Sequence, residues 1–211
     1  LDNLDRFPAL KGRAEYLQKY VEHDPKIIGK KRILKKLVLF TSLVERCSLF
    51  TQFYILMSYA KHNKGLQQIS ALQESTAIEE VIHYKFGIDI INIIKKQYPQ
   101  LWDEYLVELV TDNIQVAYKS ELELIDWIFE EGTPDHISKA EIINFLNYNF
   151  NVVCNDLNLD LKFDVDDEMF EDKSLWFKVK VFMTSEPDFF NAPVSGYASD
   201  DEKVNEDEID I

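Results

Sequence analysis

The sequence predicts an all-α protein, and two observations support this fold class. The 211 residues contain six glycines and six prolines, fewer turn-forming residues than a β-sandwich or barrel needs. No proline occurs between Pro25 and Pro99, which is typical of long helices because a proline inside a helix costs about 3 kcal/mol. Hydrophobic residues make up 46% of the chain, enough for a sizeable core in one domain.

Five helices are predicted in chain order from apolar periodicity and from start and stop signals. The fourth ends at the helix-breaking Gly132 and Pro134, and the fifth begins at Ser138, an N-cap residue with Glu141 three positions later. We expect an interruption of the third helix near residues 73–77, where polar side chains break the apolar pattern. The predicted helices cover residues 11–23, 31–62, 66–97, 101–131 and 138–154.

Composition divides the chain into three parts. Residues 1–156 contain the predicted helices and form the bundle portion. Residues 157–194 carry acidic clusters, scattered aromatic side chains and two prolines, so we expect irregular structure packed on the bundle. Residues 195–211 are acidic and almost free of apolar side chains before the end, which predicts a disordered tail.

Charge and cysteine usage restrict the class of protein. The chain has 23 basic and 38 acidic residues and a net charge of -15, which argues against a nucleic-acid binder because a phosphate-neutralising surface is lacking. Cys47 and Cys154 lie far apart within apolar runs, so a reducing cytoplasm is the expected compartment. The chain begins at Leu1 without a signal peptide, and we expect a fragment, a processed product or one piece of a split protein.

Residues 37–60 form a long apolar stretch whose only charged residues are Glu45 and Arg46. About 20 apolar residues would span a bilayer, but the central charges and several serines and threonines indicate a central bundle helix and no membrane segment. An unpaired carboxylate is unfavourable in a core, so Glu45 needs a cation, a metal or a proton. The simplest partner is a salt bridge to Arg46 or to a distant lysine.

The third predicted helix contains a second unusual segment, AIEEVIHYKFG at residues 77–87. Glu80 lies three residues before His83 and Glu79 lies four before it, so both glutamates share a face with the histidine and spacing does not choose between them. A Glu-x-x-His pair on a buried helix is half of the ligand set of a ferritin-like dimetal-carboxylate site. Together with Glu45, the pair predicts a site for iron or manganese.

The stretch from Glu45 to Gly87 resembles the second helix pair of the class I ribonucleotide reductase small (beta) subunit. That family places a single glutamate ligand one long helix before a Glu-x-x-His pair, and Glu45 and Glu80 are 35 positions apart (80 − 45). The segment SELELIDWIFEEG resembles the family's next helix, and FFNAPVSGY resembles the start of its flexible tail. The resemblance implies a ferritin-like helical bundle.

The resemblance also implies roles for individual residues. Glu45, Glu80 and His83 would be metal ligands, Glu79 would support the ligand glutamate beside it, and Tyr197 would carry radical transfer. The implied cofactor is two iron ions, with manganese or a mixed pair as alternatives. The chain would be the radical-generating small subunit of ribonucleoside-diphosphate reductase, an oxidoreductase with a thioredoxin-type reductant that makes deoxyribonucleotides. Its acidic C-terminus would dock on the large (alpha) subunit.

The sequence departs from the family in its first half. A complete member carries an earlier helix pair with an acidic ligand, another Glu-x-x-His pair and usually a radical-storing tyrosine, and this sequence has no second Glu-x-x-His pair. We therefore expect a partial bundle without the N-terminal helix pair, inactive without that half and the large subunit. The missing ligands would come from an N-terminal half or a second chain, and a small-subunit homodimer is expected. The alternatives are another ferritin-like dimetal oxidase or oxygenase, or a non-catalytic helical assembly protein.

Overall fold

The computed structural model describes residues 6–22 and 24–184, and all regular secondary structure in these two ranges is helical. The all-α prediction is therefore confirmed. Tyr197 and the acidic tail lie outside the described residues. The principal α-helices are α1 (Pro8–Val21), α2 (Gly29–Val38), α3 (Phe50–Lys61), α4 (Gln67–Gln97), α5 (Glu104–Ile128) and α6 (Lys139–Leu157).

A π-helix at Leu39–Leu49 joins α2 to α3, so residues 29–61 form one continuous helical run. A π-helix has i→i+5 hydrogen bonds and is usually a single turn, whereas this one spans 11 residues. The apolar pattern predicted the helical run but not its π-helical part. After a short turn at residues 62–66, α4 returns antiparallel along the run and packs against both α3 and the π-helix.

The expected interruption of the third helix is wrong, because α4 continues unbroken through residues 73–77. Two of the polar side chains there bond back to the helix itself. Ser75 Oγ donates to the carbonyl of Ala71, and Thr76 Oγ1 donates to that of Leu72. A hydroxyl that bonds the carbonyl four residues earlier is compatible with a helix interior, so polarity alone did not mark a break.

Side chains cap the N-termini of α5 and α6. Ser138 Oγ accepts the backbone N–H of Glu141 at 3.1 Å, which confirms the predicted N-cap of α6. The fourth helix begins later than predicted, because Pro99–Leu101 forms a 3₁₀ turn and Asp103 caps α5 by accepting the N–H of Leu106.

Around the central run, α1 packs against α5, and α6 packs against the π-helix and α3. Large side chains fill the space between these helices, and the fully buried ones include Phe50, Tyr54, Phe145, Phe150 and Phe177. Within the described residues, no helix is both long enough and apolar enough to cross a membrane.

The segment after α6 differs from the irregular structure expected for residues 157–194. Residues 159–166 lack regular structure, but residues 167–182 form a series of short helical turns. Three side chains of these turns, Phe170, Phe177 and Val181, are buried. An apolar face of this kind favours a helix that packs on the bundle. The turns are Asp167–Met169, Phe170–Ser174, Leu175–Phe177 and Lys178–Phe182.

Candidate metal centre

Glu45 lies in the middle of the π-helix, and Glu80 and His83 lie in the middle of α4. A π-helix carries an extra residue per turn and is frequently found at functional sites. The pairing of the π-helix with α4 sets Glu45 opposite the Glu-x-x-His pair.

A glycine contact brings these two helices close together. A Cβ atom placed on Gly87 would lie 2.2 Å from Thr41 Oγ1, so only glycine fits at this point of α4. Thr41 lies four residues before Glu45, and Gly87 lies four residues after His83. The close approach therefore falls about one turn from the candidate ligands on each helix.

The three predicted ligands form one compact cluster. One potential ligand atom from each of Glu45, Glu80 and His83 lies within 4.8 Å of the other two. His83 Nδ1 lies 3.2 Å from Glu80 Oε2. The side chain of His83 is 59% exposed and that of Glu80 is 19% exposed, so the cluster opens outward on the side of the histidine.

The carboxyl of Glu45 lies in an unfavourable environment for a charged group. Burial raises its pKa, the neighbouring carboxylate of Glu80 raises it further, and His83 acts in the opposite direction. Glu45 Oε2 is buried and has no hydrogen-bond partner among the described residues. An oxygen of this kind requires a proton or a cation.

The simpler expectation for Glu45, a salt bridge, is absent from the described part of the chain. Arg46 points elsewhere, with its guanidinium over the rings of Phe50, Tyr84 and Phe182. Consecutive residues of a helix project in different directions, which explains why neighbours in sequence do not pair.

The donor set of the cluster fits iron or manganese. Two carboxylates and one imidazole supply hard oxygen ligands and a borderline nitrogen ligand. The unpartnered oxygen of Glu45 is the kind of atom that a metal ion would satisfy. Glu79 is exposed and is not part of the cluster, so the structure brings Glu80 to Glu45 where spacing left both glutamates open.

A largely apolar and exposed stripe of α4, which we call the α4 seam, runs through His83 and was not predicted from the sequence. Its positions recur every three or four residues, the spacing of one helix face that packs against another helix. That spacing was visible in the sequence as a signal, but only the structure shows that most of these side chains face solvent. The seam consists of Ile69, Leu72, Thr76, Glu79, His83, Phe86, Ile90 and Ile93.

Comparison with known proteins agrees with this geometry. The family described as "Ribonucleotide reductase, small chain" matches residues 1–170. The chain belongs to this family. A similar protein, described as "Ribonucleoside-diphosphate reductase subunit beta" from Chlamydia pneumoniae, is 30% identical over 95 residues. That match covers 45% of this chain and 27% of the relative, so it spans about a quarter of the relative's length.

Membership in the ribonucleotide reductase small chain family confirms the resemblance on which the ligand assignment was based. The family match extends over the π-helix, α4, α5 and α6 and therefore includes all three residues of the cluster.

Proposed function

We propose that Glu45, Glu80 and His83 are the metal ligands of one half of a dimetal-carboxylate site in a ribonucleotide reductase small subunit. The observation that carries this proposal is the convergence of three ligand atoms within 4.8 Å around a buried carboxylate oxygen with no described partner. Bound iron, or manganese in its place, supplies oxygen activation and one-electron oxidation.

The protein residues bind the cation and orient one another. Glu45 and Glu80 contribute negative charge that a divalent cation neutralises, and without a cation the two carboxylates repel each other. Glu80 Oε2 and His83 Nδ1 lie 3.2 Å apart, so each limits the rotation of the other. Glu79, exposed at the neighbouring position, supports the ligand glutamate from outside the cluster.

Further ligands come from helices outside these 211 residues in this proposal. Three side chains cannot complete the coordination of two metal ions. The cluster is open to solvent on the side of His83, where the additional ligands would approach. The α4 seam contains His83 and exposes Leu72, Phe86 and Ile93, which is the surface a further helix pair would cover. That pair belongs to an N-terminal half of the small subunit or to a second chain, and the small subunit forms a homodimer.

The acidic tail is the proposed link to the large subunit. Residues 198–211 contain seven acidic side chains and end in Ile209 and Ile211, which we propose as apolar anchors for a groove on the large subunit. Tyr197 precedes this segment and is the proposed relay for the radical. The large subunit would bind and reduce the nucleotide, with a thioredoxin-type reductant restoring it.

Two alanine variants test the ligand assignment in the assembled small subunit. Glu80→Ala should abolish loading with iron or manganese, measured as metal per cluster by elemental analysis. Glu79→Ala should weaken loading less, because changes beside a ligand typically reduce affinity or activity about 10- to 100-fold. If Glu79→Ala loses the metal and Glu80→Ala keeps it, the assignment of the two glutamates is reversed.

The isolated chain provides a second test of the half-site. It should bind iron or manganese weakly, because three ligands leave both metals incompletely coordinated. Equilibrium dialysis on a chain proven monomeric by light scattering measures this. Retention of two metal ions by such a monomer would contradict the half-site.

Two changes in the tail separate docking from radical transfer. Removal of residues 205–211 should abolish association with the large subunit and turnover together, with metal loading unchanged. Tyr197→Phe should preserve association and reduce turnover, because phenylalanine does not relay a radical at an accessible potential. Normal nucleotide reduction by the Tyr197→Phe complex would exclude the relay role.

A further inference from the structure

A cavity lies beside the metal cluster but does not include it. It has a volume of about 520 Å³, within the range of small-molecule sites, and it lies between the π-helix, α4, α6 and the last helical turns. None of the three candidate metal ligands lines it. Its walls combine aliphatic and aromatic groups with positive charge, notably Arg46, Tyr84, Tyr148, Val152, Lys178 and Phe182.

Arg46 is the unusual member of this cavity, because it is a buried cation that forms no ion pair among the described residues, although the charge of Asp156 acts on it from a distance. Its residue surface is only 5% exposed, and its Nε atom is buried without a hydrogen-bond acceptor in the described part of the chain. No ion pair of Arg46 occurs within the described residues. A guanidinium has five N–H donors and keeps its charge at all ordinary pH values, so burial without an acceptor is unfavourable.

Aromatic rings stabilise this charge only in part. The guanidinium carbon lies 4.0 Å from the ring centroid of Phe182, 5.1 Å from that of Phe50 and 5.3 Å from that of Tyr84. Ring faces attract a cation but accept few of its hydrogen bonds. The Nε–H group therefore still lacks an acceptor among the described residues.

The carboxylates that line the cavity do not provide that acceptor. Asp156 accepts a hydrogen bond from the hydroxyl of Tyr84 at 2.5 Å, and Asp89 is exposed at the rim. Lys178 adds positive charge to the wall, with its ammonium 5.9 Å from the ring centroid of Tyr148.

We propose that this cavity binds a carboxylate with an apolar body, held by the guanidinium of Arg46. A carboxylate matches the planar fork of N–H donors in arginine. The aliphatic side chains of Val81, Ile88 and Val152 and the ring of Phe182 would contact the body of the ligand. The proposal is independent of the metal cluster and of the proposed subunit function.

The carboxylate has two possible sources with the same chemistry. One is a free small molecule. The other is the chain itself, because Glu186 and Asp188 follow within five residues of Met183, which lines the cavity. A probe that competes with the tail distinguishes the two sources.

Benzoate is a suitable probe, with neutral benzamide as its isosteric control. Calorimetry on the full chain should show benzoate binding and no comparable binding of benzamide. Arg46→Gln should weaken benzoate binding about 10-fold or more, because a hydrogen bond to a charged group is lost. Lys180→Gln removes one positive charge outside the cavity, where Lys180 pairs with Glu74, and should leave benzoate binding unchanged.

A second variant covers the case in which Arg46→Gln does not fold. Val152→Phe fills the cavity without altering charge and should also abolish benzoate binding.

The two sources of the carboxylate are distinguished by a variant with Glu186→Gln and Asp188→Asn. If these residues occupy the site, this variant should bind benzoate more tightly than the unmodified chain. Equal affinity identifies a free ligand. Undiminished benzoate binding in a folded Arg46→Gln variant, or in Val152→Phe, would overturn the proposal. So would the absence of binding in the unmodified chain and in the tail variant alike.

Discussion

The buried carboxyl of Glu45 couples its protonation to folding. Its pKa is raised, first by burial and then by Glu80, so the folded chain without metal binds the proton more tightly than the unfolded chain does. A carboxyl of this kind contributes stability below its unfolded pKa of about 4.3, and that contribution is lost as the pH rises through the folded pKa. At neutral pH the ionised side chain therefore opposes folding until a cation neutralises it.

Glu45→Gln should accordingly stabilise the metal-free chain at pH 7 while preventing metal binding. The gain should shrink as the pH falls through the pKa of Glu45, because the protonated carboxyl then resembles the amide. Urea unfolding at several pH values, with a chelator present, measures both effects. Glu79→Gln is the matched control, since that side chain is exposed and outside the cluster, and it should change stability little. A less stable Glu45→Gln variant at pH 7 would contradict the assigned environment.

The pairing of two helices brings Glu45, Glu80 and His83 into one cluster. The π-helix and α4 approach closely where Gly87 faces Thr41, and the candidate ligands lie about one turn away on each helix. A glycine in a helix interior is unfavourable by about 1 kcal/mol relative to alanine, so its position here reflects the need for close packing.

Gly87→Ala should therefore destabilise the chain by about 1–3 kcal/mol and also weaken metal binding, although Gly87 is not a ligand. The added methyl forces α4 away from Thr41, which separates Glu80 and His83 from Glu45. Gly12→Ala in α1 is the matched control. Its added methyl meets the flexible end of Glu123 at 3.2 Å, and we expect unchanged or higher stability. Denaturant unfolding and metal titration of both variants make the comparison, and equal metal affinity in the two would exclude this spacing role.

A buried ion-pair network connects the outer helices to the helical run that contains Glu45. Arg13 in α1 donates two hydrogen bonds to the carboxylate of Glu121 in α5, and Ser48 in the π-helix donates to Glu121 Oε1 at 2.7 Å. Ser48 lies three residues after Glu45. The network therefore connects three elements, α1, α5 and the π-helix, through the single carboxylate of Glu121.

Glu121→Ala should destabilise the whole molecule by about 3 kcal/mol, because it leaves Arg13 and Ser48 without their buried acceptor. The side chain of Glu121 is only 2% exposed, so water does not replace it. Asp126→Ala, also in α5, is the control, since its pair with Lys139 is exposed and contributes less than about 1 kcal/mol. Thermal unfolding followed by circular dichroism compares the two variants. Equal losses of stability would contradict the larger contribution expected of the buried pair.

The sequence by itself determined the helical fold class, the approximate position of five helices and the residue types of the cluster. These follow from local rules: apolar side chains recur with the helical period, caps mark the ends, and a three-residue spacing aligns Glu80 with His83. The family assignment rested on the same motifs and was confirmed over residues 1–170.

Only the tertiary structure placed Glu80 and not Glu79 beside Glu45, revealed the π-helix and separated Arg46 from Glu45. Each depends on contacts between segments distant in the chain. Glu80 rather than Glu79 reaches Glu45 because Gly87 sets the approach of α4 to the π-helix, and Arg46 is surrounded by rings from α3, α4 and the last helical turn. The helical turns of residues 167–182 also depend on tertiary contacts, because their buried side chains pack against the assembled bundle. The segment has too few turns for sequence periodicity to predict a helix there.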